Sequence, residues 1–456
     1  MTDKAVFPRN FLKSYPQAVR AEGCFIYTAD GRRYLDASGG AAVVTIGHGV
    51  EEIGRAMAEQ AARLPYVHSS QFQTAVAEKL AERILALAPK EMQREGRVYF
   101  TSGGSEATET ALKLARQYWI ERGDKKRFRV LSRRQSYHGS TLGALSVSGN
   151  LRRREPFAPM LKEFGHIAPC FCYRCPFGLT YPECNVDCAD EFDRVLERDG
   201  AGDVAAFIFE PVVGATLGAV VPPDGYLQRI AEICQRHGIL LIADEVMSGM
   251  GRTGKPFAVE HGDISPDMIL VGKGIASGYA PLGAVIVAGH VADAISRGSG
   301  TFLHGFTYNA HAVAAAAGNA VLDYIERENL FARVNSAGRE LHHALEPLRK
   351  FSIVGDIRGI GLLFGIEFVR DAKTREPFPP EARMATRIHD DAFDAGVVTY
   401  PIQGCVDGVR GDHVLLAPPF TITSQLIQTL ADGLEQAIGD LERTHLAGAG
   451  GSSALA

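Results

Sequence analysis

The stretch DMILVGKGIASGYAPLGAVIV, residues 267–287, decides how this chain folds. An apolar run ends in Lys273, hemmed by Gly272 and Gly274, and a second apolar run, GAVIV, follows. Upstream, LLIADEV (240–246) has the same form and carries Asp244 at its end. Working outward, RVYF, RFRVLS and VAAFIFEPV also read as buried strands, whereas SEATETALKLARQYWIER and DGYLQRIAEICQRHG carry helical spacing. Strands alternating with helices between about 97 and 290 predict an α/β fold, a mostly parallel sheet with helices on both faces. In such sheets the ligand crevice lies outside the carboxyl ends of the strands. Asp244 and Lys273 both stand there.

The flanks read differently. DGRRYLDASGGAAVVTIGHG (30–49) has the glycine punctuation of short strands and turns, followed by a helix from about 50 to 63. Residues 71–90 show an amphipathic helix stopped by Pro89, and 311–330 an Ala-rich one. Beyond it, strands and helices alternate again to about 445. We therefore expect a large domain over 71–325, and a smaller α+β lobe built from 1–70 and 326–445. The Gly/Ser/Ala-rich tail 446–456 reads as disordered.

A chain of 456 residues with 46% hydrophobic and 22% charged residues is an ordinary globular protein of more than one lobe. Net charge is −5, with no long basic block, which excludes the usual footprint of nucleic-acid binding. No run of about 18 apolar residues exists to span a membrane. The N-terminal stretch lacks the apolar core of a secretory signal. The expectation is a soluble cytoplasmic protein.

An acid and a lysine at two successive strand ends suit one chemistry. The lysine forms an imine with pyridoxal phosphate (PLP), and the aspartate keeps the pyridine nitrogen protonated. A lysine in a desolvated pocket has a lowered pKa, which favours imine formation and lets its amine carry protons afterwards. TSGGSEATETALKLARQYW (101–119) adds a strand–glycine turn–helix junction, where free N–H groups at the helix start suit a phosphate. Gly103 and Gly104 permit close backbone approach, and Ser105 adds a hydroxyl. Tyr137, in SYHG, and Val246, two residues past Asp244, are placed to cover the two faces of a ring. SGMGRTGKP (248–256) imitates both a dinucleotide fingerprint and a P-loop. Pro256 denies it the helix of the first and the Ser/Thr of the second.

Together TSGGSEATETALKLAR, SYHGST, FIFEPVVG, IADEVMSGMGRTGK, VGKGIASGYAPLGAV and HGFTYNAH resemble class III, fold-type-I PLP aminotransferases, over about Gly31–Thr423. The resemblance implies Lys273 as the Schiff-base lysine and Asp244 as the partner of the pyridinium nitrogen. It also implies Val246 and Tyr137 around the ring, and Gly104 and Ser105 on the phosphate. Glu210 matches a Glu-Pro position near the cofactor. Thr307 would reach the phosphate of the neighbouring subunit, which implies a homodimer with active sites at its interface. The pattern is closest to ω-amine:pyruvate transaminases. Met247 stands where ornithine- and GABA-type members have Gln, and Ala215 where they have Glu. Gly408 replaces the flexible Arg of ω-amine enzymes. Arg410, two residues on, is either a displaced carboxylate receptor or a structural ion-pair residue. The expected substrates are a small amine and a 2-oxo acid, pyruvate favoured. A racemase or aminomutase on the same scaffold is the alternative.

Eight cysteines are present, five of them in CFCYRCPFGLTYPECNVDC (170–188). Cys172-x₂-Cys175 and Cys184-x₃-Cys188 form two short chelating pairs in a segment without apolar periodicity. Such a pair of pairs suits Zn²⁺ or an iron–sulfur cluster of structural role, with disulfides or free thiols as alternatives.

Overall fold

A computed structural model describes residues 5–451, with side chains to residue 444. The chain opens with a meander of β1 (Ala18–Glu22), β2 (Phe25–Thr28) and β3 (Arg33–Asp36), in which neighbours pair antiparallel. The helix Glu51–Arg63 and the helix Ala75–Leu87 follow, close to the expected spans.

The central sheet comprises β4 (Arg97–Thr101), β5 (Arg129–Arg133), β6 (His166–Ile167), β7 (Val204–Phe209), β8 (Leu240–Asp244), β9 (Met268–Val271) and β10 (Gly283–Val287). Its spatial order is β4-β10-β9-β8-β7-β5-β6. The pairs from β6 through to β9 are parallel, and β10 runs antiparallel to both β9 and β4. The reason for that reversal is local. After β9 the chain turns back through residues 272–282 instead of crossing over a helix, so β10 must return antiparallel.

Both faces of this sheet are covered, which is why β7, β8, β9 and β10 are apolar runs. Ile269 and Val271 join one buried cluster with Leu80, Ile84 and Ile286. Met268 and Leu270, one residue out of phase, join another with Ala107, Ala111 and Leu114 of the helix Gly104–Glu121. Each such side chain taken from water contributes roughly 1.5–3 kcal/mol.

A third core gathers Leu35, Ile46 and Ile53 from the start of the chain. They pack with Val334, Phe364, Leu416 and Leu434 from its end. Its sheet is formed by β11 (Val354–Ile360), β12 (Leu363–Phe368), β14 (Tyr400–Gln403) and β15 (Asp412–Leu416), while β13 (Val397–Val398) pairs parallel with β3. The last helix, Ser424–Gly451, enters the stretch expected to be a disordered tail. Residues 452–456 of that tail lie outside the described residues. No helix among the described residues is long and apolar enough to cross a membrane.

Candidate active site

Asp244 closes β8, and Lys273 stands two residues beyond β9, its parallel neighbour. The sheet register therefore brings both side chains to one edge. Lys273 sits at φ +45°, a left-handed conformation unusual for lysine, in the turn that reverses the chain into β10. That turn is braced from the N-terminal segment. Ser277 Oγ accepts from the amides of Thr45 and Ile46 at 2.8 and 3.1 Å, and Tyr279 Oη accepts from the Val50 amide at 2.8 Å.

Burial pulls the Lys273 amine down to about 8, against the opposing pull of Asp244 and Glu210. Asp244 is held from two sides. Oδ1 accepts from the Val246 amide at 3.1 Å, and Oδ2 lies 2.7 Å from Nδ1 of buried His138. A carboxylate only accepts, so Nδ1 carries the proton of that bond. Glu210, just past β7, accepts from the Tyr137 amide at 3.1 Å and from the Gly214 amide at 2.8 Å. Burial pushes its carboxyl up.

The phosphate-type junction forms as expected: β4, a glycine turn, then the helix from Gly104. Glu106 Oε2 accepts from the Ser102 amide at 2.8 Å and fixes the first turn. The first N–H groups of a helix have no partner within it. Ser105 Oγ accepts from the Ser140 amide at 3.1 Å, which ties this helix start to the loop carrying Tyr137. A Cβ on Gly104 would stand 2.8 Å from Val246 Cγ1, so Val246 presses directly on the turn. The loop after β8 contains no dinucleotide or P-loop helix. It is a run of turns, pinned by Glu245, which accepts from Ser248 Oγ at 2.6 Å and from the Val259 amide at 2.8 Å.

A family profile for class-III aminotransferases matches residues 8–438. The chain belongs to the class III aminotransferases. This aminotransferase is 38% identical over 431 residues to the uncharacterized aminotransferase YodT of Bacillus subtilis, covering 94% of this chain and 96% of that one. Its fold is similar to a thermostable (S)-enantioselective omega-transaminase from Thermomicrobium roseum, with a TM-score of 0.89, 36% identity and 96% of each chain covered. An amine transaminase from an uncultivated Pseudomonas species, solved in a PLP-bound form, matches with the same TM-score and identity over 96% of this chain and 98% of that one.

The remaining sequence candidates fall elsewhere. Thr307 lies on an exposed segment, its carbonyl accepting from Tyr66 Oη at 2.8 Å. It lines a separate cavity of about 650 Å³ with His68, Phe72, Phe302 and His304. Arg410 is more than half exposed and donates from Nε to Asp407 Oδ2 at 2.7 Å, an ion pair within its own loop.

The metal-centre expectation is corrected. Cys172, Cys175, Cys184 and Cys188 surround one small void, yet among the described residues no group of three or more His, Cys, Asp or Glu side chains is arranged to hold a metal ion. These cysteines are free thiols. Burial and then the neighbouring thiols push Cys172 up to about 11 and raise Cys188 further. The staple this segment requires is ionic. Arg174 Nε donates to buried Glu367 Oε1 at 2.5 Å, and Arg358 forms an ion pair with the same carboxylate at 2.9 Å.

Sequence reasoning passed over His138. Its signal was its place beside Tyr137, in a loop that follows a buried strand.

Proposed function

We propose that this aminotransferase binds PLP between Asp244, Lys273, Tyr137 and Val246, and moves an amino group from an ω-amine or amino acid to a 2-oxo acid, with pyruvate as the favoured acceptor. The observation that carries the reading is the pairing of a buried carboxylate and a lowered-pKa lysine at the ends of adjacent parallel strands. The residues present fit the cofactor: a helix start without Cβ at Gly104 for its phosphate, with Ser105 beside it, and a buried carboxylate for its ring nitrogen. When bound, PLP supplies an electron-accepting ring that acidifies the substrate's amine-bearing carbon.

The protein's own part is positioning and proton transfer. Lys273 Nζ, neutral in good part near pH 8, takes the proton from the substrate's amine-bearing carbon and later returns one. His138 keeps the Asp244 carboxylate oriented. Glu210 holds the backbone of Tyr137 and of Gly214 in one frame, which fixes the walls around Lys273. The donor leaves as a ketone or aldehyde, and the acceptor leaves as an amino acid.

The reading extends to a homodimer in which Thr307 of the partner subunit completes the phosphate site. It also divides the chain into a cofactor domain over 71–325 and a lobe from 1–70 and 326–445. The separate hydrophobic cores support that division. The relatives named above are aminotransferases and transaminases, which favours transfer over racemisation. The test is ketone formation from an amine with pyruvate consumed in equal amount. Lys273→Ala should abolish it, and racemisation of alanine without need of an oxo acid would overturn the transfer reading.

A further inference from the structure

Over the ring of Tyr137 lies an arginine with nothing to hold. Arg153 is half-buried, and its guanidinium carbon stands 4.4 Å from the centroid of the Tyr137 ring. Among the described residues its side chain makes no hydrogen bond or ion pair, although its neighbours do. Arg152 donates to Gln403 Oε1 at 3.1 Å, and Arg154 pairs with Glu163. A guanidinium held over a ring keeps N–H groups available for a planar, two-oxygen anion. Left partly to solvent, the guanidinium would gain a charge-assisted partner from a bound carboxylate.

The surroundings agree. Arg153 lines a cavity of about 900 Å³ together with Thr216, Asn150 and Tyr400. Four arginines and two glutamates face that cavity, so its lining is cationic. The Thr216 hydroxyl is buried and has no hydrogen-bond partner. Arg153 is also near enough for its charge to be felt at Lys273. The geometric link between this cavity and the proposed cofactor site is the Tyr137 ring, over which Arg153 lies. Arg410 is the other candidate, but it is committed. Asp407 accepts from its Nε, from its own amide at 2.8 Å and from the Val409 amide at 2.9 Å, which is how the 404–411 loop keeps its shape.

We infer that Arg153, held over Tyr137, is the specificity-determining residue that receives the substrate carboxylate, with the Thr216 hydroxyl as a second donor. The inference rests on the amino-transfer reading and names the substrate feature it selects: a carboxylate on the carbon that bears the amine or the oxo group.

The experiment compares two donors that differ only at that feature. L-Alanine carries the carboxylate, and isopropylamine has a methyl in its place. Both are assayed in the holoenzyme with 2-oxobutyrate as the common acceptor, in wild type, Arg153→Met, Arg153→Lys and Arg410→Ala. Arg153→Met is expected to lower kcat/KM for alanine about 10- to 100-fold, the scale of a charge-assisted pair, mainly through KM. Isopropylamine should stay within about 3-fold, and Arg153→Lys should recover part of the loss. Equal losses on both donors, or a selective loss in Arg410→Ala instead, would overturn the assignment.

A measurement on wild type alone guards against a variant that fails to fold. Propionate, which binds but cannot react, should protect Arg153 from phenylglyoxal, read by peptide mapping. Protection of Arg410 in place of Arg153 would overturn the assignment while leaving amino transfer intact. A wild-type enzyme that accepts isopropylamine but not alanine would sink the amino-acid substrate and the anchor together.

Discussion

Nδ1 of His138 lies 2.7 Å from Oδ2 of Asp244, and both side chains are buried. The loop that carries the histidine is fixed independently of that bond. The His138 amide donates to Ser148 Oγ at 2.8 Å, and its carbonyl accepts from Thr108 Oγ1 at 2.7 Å. His138→Phe should therefore leave the loop in place and remove one contact to the carboxylate. We expect a loss of about 1.5–3 kcal/mol in unfolding free energy, as for a hydrogen bond to a charged group. Activity should fall with it. Chemical denaturation and the steady-state rate check both. A variant with unchanged activity would show that Asp244 needs no second partner.

The Lys273 amine is the group whose titration is most exposed to test. Its pKa of about 8 lies well below the ordinary lysine range because burial disfavours the ammonium form. Below that pH the amine is protonated and cannot attack an aldehyde; above it the amine is free. The rate of PLP capture by cofactor-stripped enzyme should therefore rise with pH around a midpoint near 8. Asp244 favours the charged amine, so Asp244→Asn should move the midpoint down. Absorbance after rapid mixing across a pH series reads both midpoints, and a midpoint above 10 in wild type would contradict the assignment.

Glu210 holds two backbone amides with two oxygens. Glu210→Ala orphans both donors in a buried place, at about 1–3 kcal/mol each. Glu210→Gln keeps one acceptor oxygen and offers an N–H where the second stood. The expected order of stability is wild type, then Gln, then Ala, with cofactor affinity following the same order because Tyr137 moves with its amide. Equal melting temperatures for the two variants would mean that the carboxylate acts on something other than these amides.

Much of this was legible from the sequence, and the reasons are local. β8 and β9 are continuous apolar runs because the central sheet is covered on both faces, so Asp244 and Lys273 stood out as polar residues at their ends. The helix from Gly104 showed its apolar stripe and its acidic first turn. What could not be read depended on contacts between distant segments. Arg153 and Tyr137 meet only because the Gly149 and Asn150 amides bond back to the Ser136 carbonyl and close the chain between them. Arg410 read as a possible carboxylate receptor because Asp407, three residues before it, carries no sign of which side chain it binds. The cysteine spacing suggested chelation, but spacing within a segment says nothing of the Arg174–Glu367 pair that spans 193 positions and holds the segment down.

Gly104 and Val246 offer the sharpest test of the phosphate turn. A Cβ on Gly104 would lie 2.8 Å from Val246 Cγ1 and 3.1 Å from Cγ2, closer than carbon atoms tolerate. In Gly104→Ala either the helix start or Val246 must shift, and each lines the same crevice. We expect PLP to be held about 10-fold or more weakly, with a cost of about 1–3 kcal/mol in stability. Val246→Ala removes both clashing methyls, so the double variant should bind PLP more tightly than Gly104→Ala alone. Contacting residues are where such non-additivity is expected. The four dissociation constants, measured by cofactor absorbance after dialysis, form the cycle. Strictly additive losses would mean that Gly104 is needed for close approach of the phosphate itself, and not for room beside Val246.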